Sequence, residues 1–154
     1  MIQRIQSIYL LLAAIVVGLL FFFPVADFVN DAGKFYLFRY RGLYEIIEGK
    51  EKLVSLTIPL AILLLVNMVL PLINIFFYKK RGFQMKLCIF SIILLFSSVG
   101  LIAFYAAASF KNIEANVNYQ VFASLPIVAL ILNVMAYSAI RKDEKLIKSI
   151  DRIR

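Results

Sequence analysis

The sequence predicts an all-α membrane protein: a bundle of four transmembrane helices with both termini on the cytoplasmic side. Three observations carry that reading. Four long apolar runs, Ile5–Ala26, Leu53–Tyr78, Leu87–Phe110 and Tyr119–Ile140, take up most of the 154 residues. Each run reaches the roughly 20 residues that cross a bilayer core, with room for tilt. The composition is 63% hydrophobic with a mean hydropathy of +0.90, far outside soluble globular usage. The formal net charge of +8 falls on one side of the four runs. The N-terminal stub, the turn Lys79–Lys86 and the tail Arg141–Arg154 together hold 11 Lys/Arg against 3 Asp/Glu, and the other two connections hold 6 against 6. Cytoplasmic loops retain Lys and Arg, so Arg4, Lys79, Lys80, Arg81, Arg141 and Lys142 mark an inner face that meets anionic headgroups. The pI of 9.7 then reflects a lipid surface rather than nucleic acid. What lies outside the runs is too small for a soluble domain, so the chain reads as one membrane domain, residues 1–154.

The first run reads as a retained helix. It is longer than a signal-peptide core, and no clear A-x-A site follows it. Pro24 and Asp27 end it at the outer interface. The connection Asp27–Lys52 is the one sizeable aqueous piece, and it is dense in Phe and Tyr. Phe35–Arg41 and Leu43–Ile47 flank Gly42, which predicts a short hairpin turning near Arg41–Gly42. Tyr36, Arg39, Tyr40, Arg41 and Tyr44 make either a binding surface or an aromatic belt at the outer interface, with the arginines on phosphates. The second run carries Pro59, Asn67, Pro71 and Asn74. Pro71 has no N–H to give the Asn67 carbonyl, so a kink and a mid-membrane amide coincide. The third run places Gly100, Ala103 and Ala107 on one face, as close helix packing requires. The fourth, with Pro126 and Asn133, runs without a break signal into the tail. There Leu146, Ile147, Ile150 and Ile153 recur at helical spacing among lysines and arginines. This basic amphipathic helix has three options: it lies on the inner leaflet, docks in a partner's groove, or extends the fourth span.

The chemistry in this chain is sparse. It has no His and one Cys, Cys88, which excludes an intramolecular disulfide and removes the commonest general base. No phosphate loop or nucleophile motif is present, and no cofactor is expected. No Asp, Glu, Lys or Arg lies within any run, as a proton relay would require. What remains mid-membrane is amide and hydroxyl. Counting from the inner ends brings Asn67, Ser97 or Ser98, and Asn133 to similar depth. They form either a small polar site or interhelical hydrogen bonds worth about 0.6 kcal/mol each.

The opening MIQRIQSIYLLLAAI and the closing AYSAIRKDEKLIKSIDRIR resemble the small four-span inner-membrane proteins of Bacteroidota classed as domain of unknown function 4293. Arg4, Arg141, Asp143, Glu144, Lys145 and Arg152 stand where those terminal motifs would put them. The resemblance implies a bacterial inner-membrane protein and no activity. From the residues themselves, an Arg4 pairing with Asp143 or Glu144 would tie the first span to the fourth.

The function these features favour is non-enzymatic: an accessory or structural subunit of an inner-membrane assembly, such as one for protein export or envelope biogenesis. Its partners are the bilayer with its anionic inner leaflet and other membrane subunits. The alternative is a small transporter or lipid-binding protein built on the Asn67/Ser97/Asn133 zone and the proline breaks of the second span.

Overall fold

The computed structural model describes residues 3–30, 33–47, 49–78, 80–113 and 115–151, and their side chains except at 3, 4, 109–113, 115–117, 148, 150 and 151. Helix α1 (Gln3–Leu19) leads into strands β1 (Ala26–Asn30), β2 (Phe35–Arg39), β3 (Gly42–Ile47) and β4 (Lys50–Leu56). Then follow α2 (Ile58–Phe76), α3 (Arg81–Ile113), β5 (Ala115–Tyr119), a 3-10 turn (Val121–Ser124) and α4 (Leu125–Asp151). The expected all-α bundle is therefore wrong. Among the described residues, four helices stand beside a five-stranded antiparallel sheet of order β4-β3-β2-β1-β5.

The span boundaries failed for one physical reason. Apolar strand and apolar helix look alike to a hydropathy count. The run Ile5–Ala26 stops being helical at Leu19, passes through a turn and enters β1. Pro24 biases Phe23 toward extended backbone, so the helix cannot reach it. The run Leu53–Tyr78 begins inside β4, and Tyr119–Ile140 begins in β5. The turn Lys79–Lys86 is shorter than expected, since α3 already starts at Arg81. The hairpin is present, with Tyr40–Arg41 as its two-residue turn and Arg39 opposite Gly42. Gly33 (φ 75°) and Gly49 (φ 78°) supply the left-handed backbone that the turns on either side of it need.

Three helices are long and apolar enough to cross a membrane: Ile58–Phe76, Arg81–Ala108 and Val121–Ile147. This is a membrane protein. The apolar part of α1, Ile5–Leu19, is shorter. In cyclic order, each helix packs mainly on two neighbours, α1 on α2 and α4, and α3 on α2 and α4. The inward stripes repeat at alternating intervals of three and four. On α2 the stripe is Leu60, Leu64, Asn67, Pro71 and Asn74. On α3 it is Gln84, Cys88, Ser91, Leu95, Ser98 and Ile102, and on α4 Ala129, Asn133, Ala136, Ile140 and Asp143. That spacing is the seam of closely packed, left-handed helices. Gly100, Ala103 and Ala107 are not on it. All three are exposed on the outward side of α3, contrary to the interior packing expected of them.

Strands β1–β4 connect α1 to α2, and β5 connects α3 to α4. Pairing β1 with β5 therefore gathers one end of every helix beneath a single sheet. Phe28, Phe38 and Leu43 from the sheet, with Leu20 and Val25 from the turn before it, share one core with Leu60, Leu64, Ile102 and Ala106 from the helices. The described basic positions Arg4, Lys80, Arg81, Lys86, Arg141, Lys142 and Lys145 lie at the other end.

Candidate functional site

Cross-strand register sorts the sheet into two faces, since residues directly opposite each other share a face. One face holds Ala26, Phe28, Tyr36, Phe38 and Leu43, all buried against the helices. The other holds two rows: Val29 opposite Phe35 opposite Ile46 opposite Glu51, and Asp27 opposite Leu37 opposite Tyr44 opposite Leu53. Six of these eight side chains are apolar or aromatic, and none belongs to either buried core. Phe35 is 48% exposed and Leu53 43%. An antiparallel sheet with one covered face presents polar residues on the other. This outer face is apolar in its middle and charged only at its rim.

The segment 27–52 that supplies the rim is neutral, with five Lys/Arg against five Asp/Glu, and several of its charges pair with one another. Arg39 Nη2 donates to Glu51 Oε1 at 2.7 Å, reaching across β3. Gln120 Nε2 donates to Asp27 Oδ2 at 2.5 Å and clips the start of α4 to β1. On the helix face, Lys34 Nζ lies 3.3 Å from Glu45 Oε1, which also accepts from the Tyr36 hydroxyl at 3.4 Å. The sheet has two edge strands, β4 and β5, and β4 is exposed along its whole length. Lys50, Lys52 and a register irregularity at Leu43/Tyr44 guard that edge against strand addition.

The sequence-derived surface of Tyr36, Arg39, Tyr40 and Arg41 does not assemble. Tyr36 points to the helices and is 8% exposed. Tyr40 packs its ring 4.7 Å from that of Phe21. Arg39 lies on the outer face, and Arg41 is exposed in the turn, its carbonyl accepting from Thr57 N at 2.8 Å. Alternation explains the split, because neighbouring strand residues face opposite ways.

At the opposite end, α4 continues unbroken to Asp151, so the tail is an extension of the fourth helix. Leu146 and Ile147 are 46% and 41% exposed. The side chains of Ile150 and Arg4, and all of Lys79 and Ile153, lie outside the described residues. Lys80, Arg141 and Lys142 are exposed and Arg81 is half-buried. Among the described residues the first and fourth helices are tied here through Gln6, while the expected Arg4 pairing falls on a side chain outside the described residues. Gln6 Nε2 donates to Asp143 Oδ2 at 2.5 Å, with both side chains buried.

Between the helices, Asn67 and Asn133 are fully buried, but Ser97 is not with them. Ser97 is exposed and its hydroxyl donates to the Ile93 carbonyl at 3.0 Å. Ser98 and Ser91 are the inward serines. Nearer the basic end, Asn74 Nδ2 donates to the Gln84 carbonyl at 3.3 Å and Gln84 Nε2 donates back to the Asn74 carbonyl at 3.3 Å. On the outside of α2, Leu65, Val66, Val69, Leu70 and Ile73 line an apolar groove of about 330 Å³ that suits lipid chains. Among the described residues, no three His, Cys, Asp or Glu side chains gather where a metal ion could bind.

The family model described as "Domain of unknown function (DUF4293)" matches residues 2–153. No curated protein matches the chain.

Proposed function

The chain belongs to the DUF4293 family, and from that premise we propose that it is a non-enzymatic accessory subunit of a membrane assembly, docking a partner protein on the outer face of its sheet. The observation that carries this is the apolar centre of that face, formed by Val29, Phe35, Leu37, Tyr44, Ile46 and Leu53. A contiguous apolar patch with a polar rim is the usual mark of a protein interface. The neutral rim favours a protein over an anionic lipid surface, which would select for Lys and Arg. The outward small residues Gly100, Ala103 and Ala107 support the same reading within the membrane, since a partner helix packs closely on such a face. The role needs no catalysis, and the chain has no histidine. In this proposal the membrane is a bacterial inner membrane. The basic helix ends and both termini are cytoplasmic, supported by the one-sided charge, and the sheet is extracytoplasmic.

The test is photo-crosslinking in the native host. A photoreactive residue replaces Phe35, Leu53 or, as control, the helix-facing Tyr36, and the tagged protein is purified in mild detergent. One defined membrane protein should crosslink at Phe35 and Leu53 and not at Tyr36, and should co-purify stoichiometrically. Recovery of the chain alone, with no adduct at either outer position, overturns the proposal.

A further inference from the structure

The helix interior contains polar groups that no described residue satisfies. Neither the nitrogen nor the oxygen of the Asn67 amide has a hydrogen-bond partner, and the same holds for Ser91 Oγ and Asn133 Oδ1. All three residues are 0–1% exposed. Most buried polar groups are paired, with protein or with ordered water, so each of these requires an account.

Helix register brings them to one depth. The Asn74 side chain meets the Gln84 carbonyl and Cys88 Sγ, the latter at 3.1 Å, which levels α2 against α3. Seven residues toward the sheet, the same step leads to Asn67 on α2 and to Ser91 and Leu95 on α3. The Gln6–Asp143 bond levels α1 against α4. Ten residues toward the sheet lead to Val16 and Asn133. A Cβ on neighbouring Gly18 would sit 3.6 Å from Met68 Sδ, which levels α1 against α2. These three anchors put Asn67, Ser91 and Asn133 within about one helical turn, or ~5 Å, of a common depth. Here α1 contributes only Ala13, Ala14 and Val17 to the interior.

Local pairing was available to these groups and is not used. Ser97, Ser98 and Ser149 each donate to a carbonyl three or four residues back on their own helix, the usual way a helical serine is satisfied. Ser91 does not. Asn133 Nδ2 donates to the Ala129 carbonyl at 3.0 Å, leaving its oxygen free, while Asn67 makes no such bond. Pro71 adds a further acceptor, since it has no N–H to give the Asn67 carbonyl. The layer thus offers one amide donor, one hydroxyl and at least three acceptor oxygens.

The ligand must match that set. No Asp, Glu, Lys or Arg lies in residues 5–26, 53–78, 87–110 or 115–140, so nothing balances an ion. An amide N–H pointing into the site also disfavours a cation. A small neutral molecule that both donates and accepts fits, and water needs two to four polar partners, as this layer provides. We propose that Asn67, Ser91, Asn133 and the Asn67 carbonyl form a binding site for one or two water molecules, a hydrated layer buried in an apolar interior.

The test is water-edited solid-state NMR of the uniformly 13C,15N-labelled full chain in lipid bilayers. The Asn67 side-chain nitrogen should receive magnetisation from water as fast as that of exposed Asn118, and several-fold faster than the backbone amides of buried Leu64 and Leu95. Build-up no faster than Leu64 and Leu95, or transfer from lipid acyl protons instead, overturns the proposal. Asn67→Leu should lower transfer to the Asn133 side chain at least two-fold while Asn118 is unchanged; an unaltered Asn133 signal overturns the shared site. Ser91→Ala, a mild change within a helix, should give a smaller drop at Asn133, and no drop there again counts against a shared site.

Discussion

The bond between Gln6 and Asp143 joins the first turn of α1 to α4 just past the end of its apolar part, and it is the most specific stability test this structure offers. Gln6 is 4% exposed and Asp143 6%. Removing either partner therefore strands the other in a buried setting. A hydrogen bond to a charged group contributes about 1.5–3 kcal/mol, and a buried group left unpaired costs a similar amount. Asp143→Leu and Gln6→Leu should each destabilise by about 2–3 kcal/mol. Replacing both partners with apolar groups is nearly neutral, so the double variant should lie within about 1 kcal/mol of the unmodified protein, a coupling energy of about 3 kcal/mol or more. For a chain of this size, that corresponds to a single-variant fall of roughly 5–10 °C in unfolding midpoint. Cys88 is the one cysteine and is fully buried, so a thiol-reactive fluorogenic dye reports unfolding in detergent directly. Single variants within 1 °C of the unmodified protein, or a double variant as unstable as the sum of the singles, would refute the reasoning.

Three other outcomes are expected. Gly42→Ala should destabilise by about 1–3 kcal/mol in the same dye assay, because its Cβ would overlap the Ser55 carbonyl oxygen, a backbone atom on β4 that cannot move alone; an unchanged midpoint would contradict the β3–β4 register. Phe35→Ser with Leu53→Ser, each about half exposed, should weaken binding to the crosslinked partner by about 2 kcal/mol, or roughly 30-fold, from the remaining burial each side chain has to offer; an equal loss from Leu146→Ser with Ile147→Ser would shift the interface to the tail. In a Cys88→Ala background, Lys34→Cys should react with a membrane-impermeant maleimide on intact spheroplasts and Lys80→Cys only after lysis; the reverse would invert the proposed topology.

The β2–β3 hairpin was legible because its signal is local: a two-residue turn between runs rich in aromatic and β-branched residues. The rest of the sheet was not. The segments ADFVN and KEKLVSL abut apolar helices, and hydropathy assigned each strand, in part or whole, to a span or a loop. Strand β5, ANVNY, is polar and short, and it exists through its pairing with β1. That pairing joins Asp27 to Asn118, a separation no window-based reading spans. For the polar layer, depth was readable and rotation was not. Ser97 and Ser98 stand at nearly the same height, but one residue turns a helix by about 100°. The stripe Gln84, Cys88, Ser91, Leu95, Ser98 is a repeat of threes and fours that was present in the sequence. It went unseen because in a membrane helix the inward stripe is the more polar one, the inverse of the soluble pattern.

That inversion has a direction along the bundle. Next to the sheet, the interior is Leu60, Leu64, Leu95, Ile102 and Ala106, joined to Phe28 and Phe38 in one large core. Midway it becomes Asn67, Ser91 and Asn133. Beyond them come Asn74 with Gln84, then Gln6 with Asp143, beside a much smaller apolar cluster of Leu10, Cys88, Ala136 and Ile140. Apolar packing therefore anchors the helices where the sheet gathers them, and hydrogen bonds hold them where the charge lies. These two kinds of support fail differently. A packed core resists the removal of any one contact, whereas a buried pair is lost when either partner is lost. The sheet end is consequently the better braced of the two, as the docking proposed for its outer face would require. The basic end relies on such pairs, so loss of Gln6 or Asp143 is expected to loosen α1 from α4 there while the packed sheet end holds.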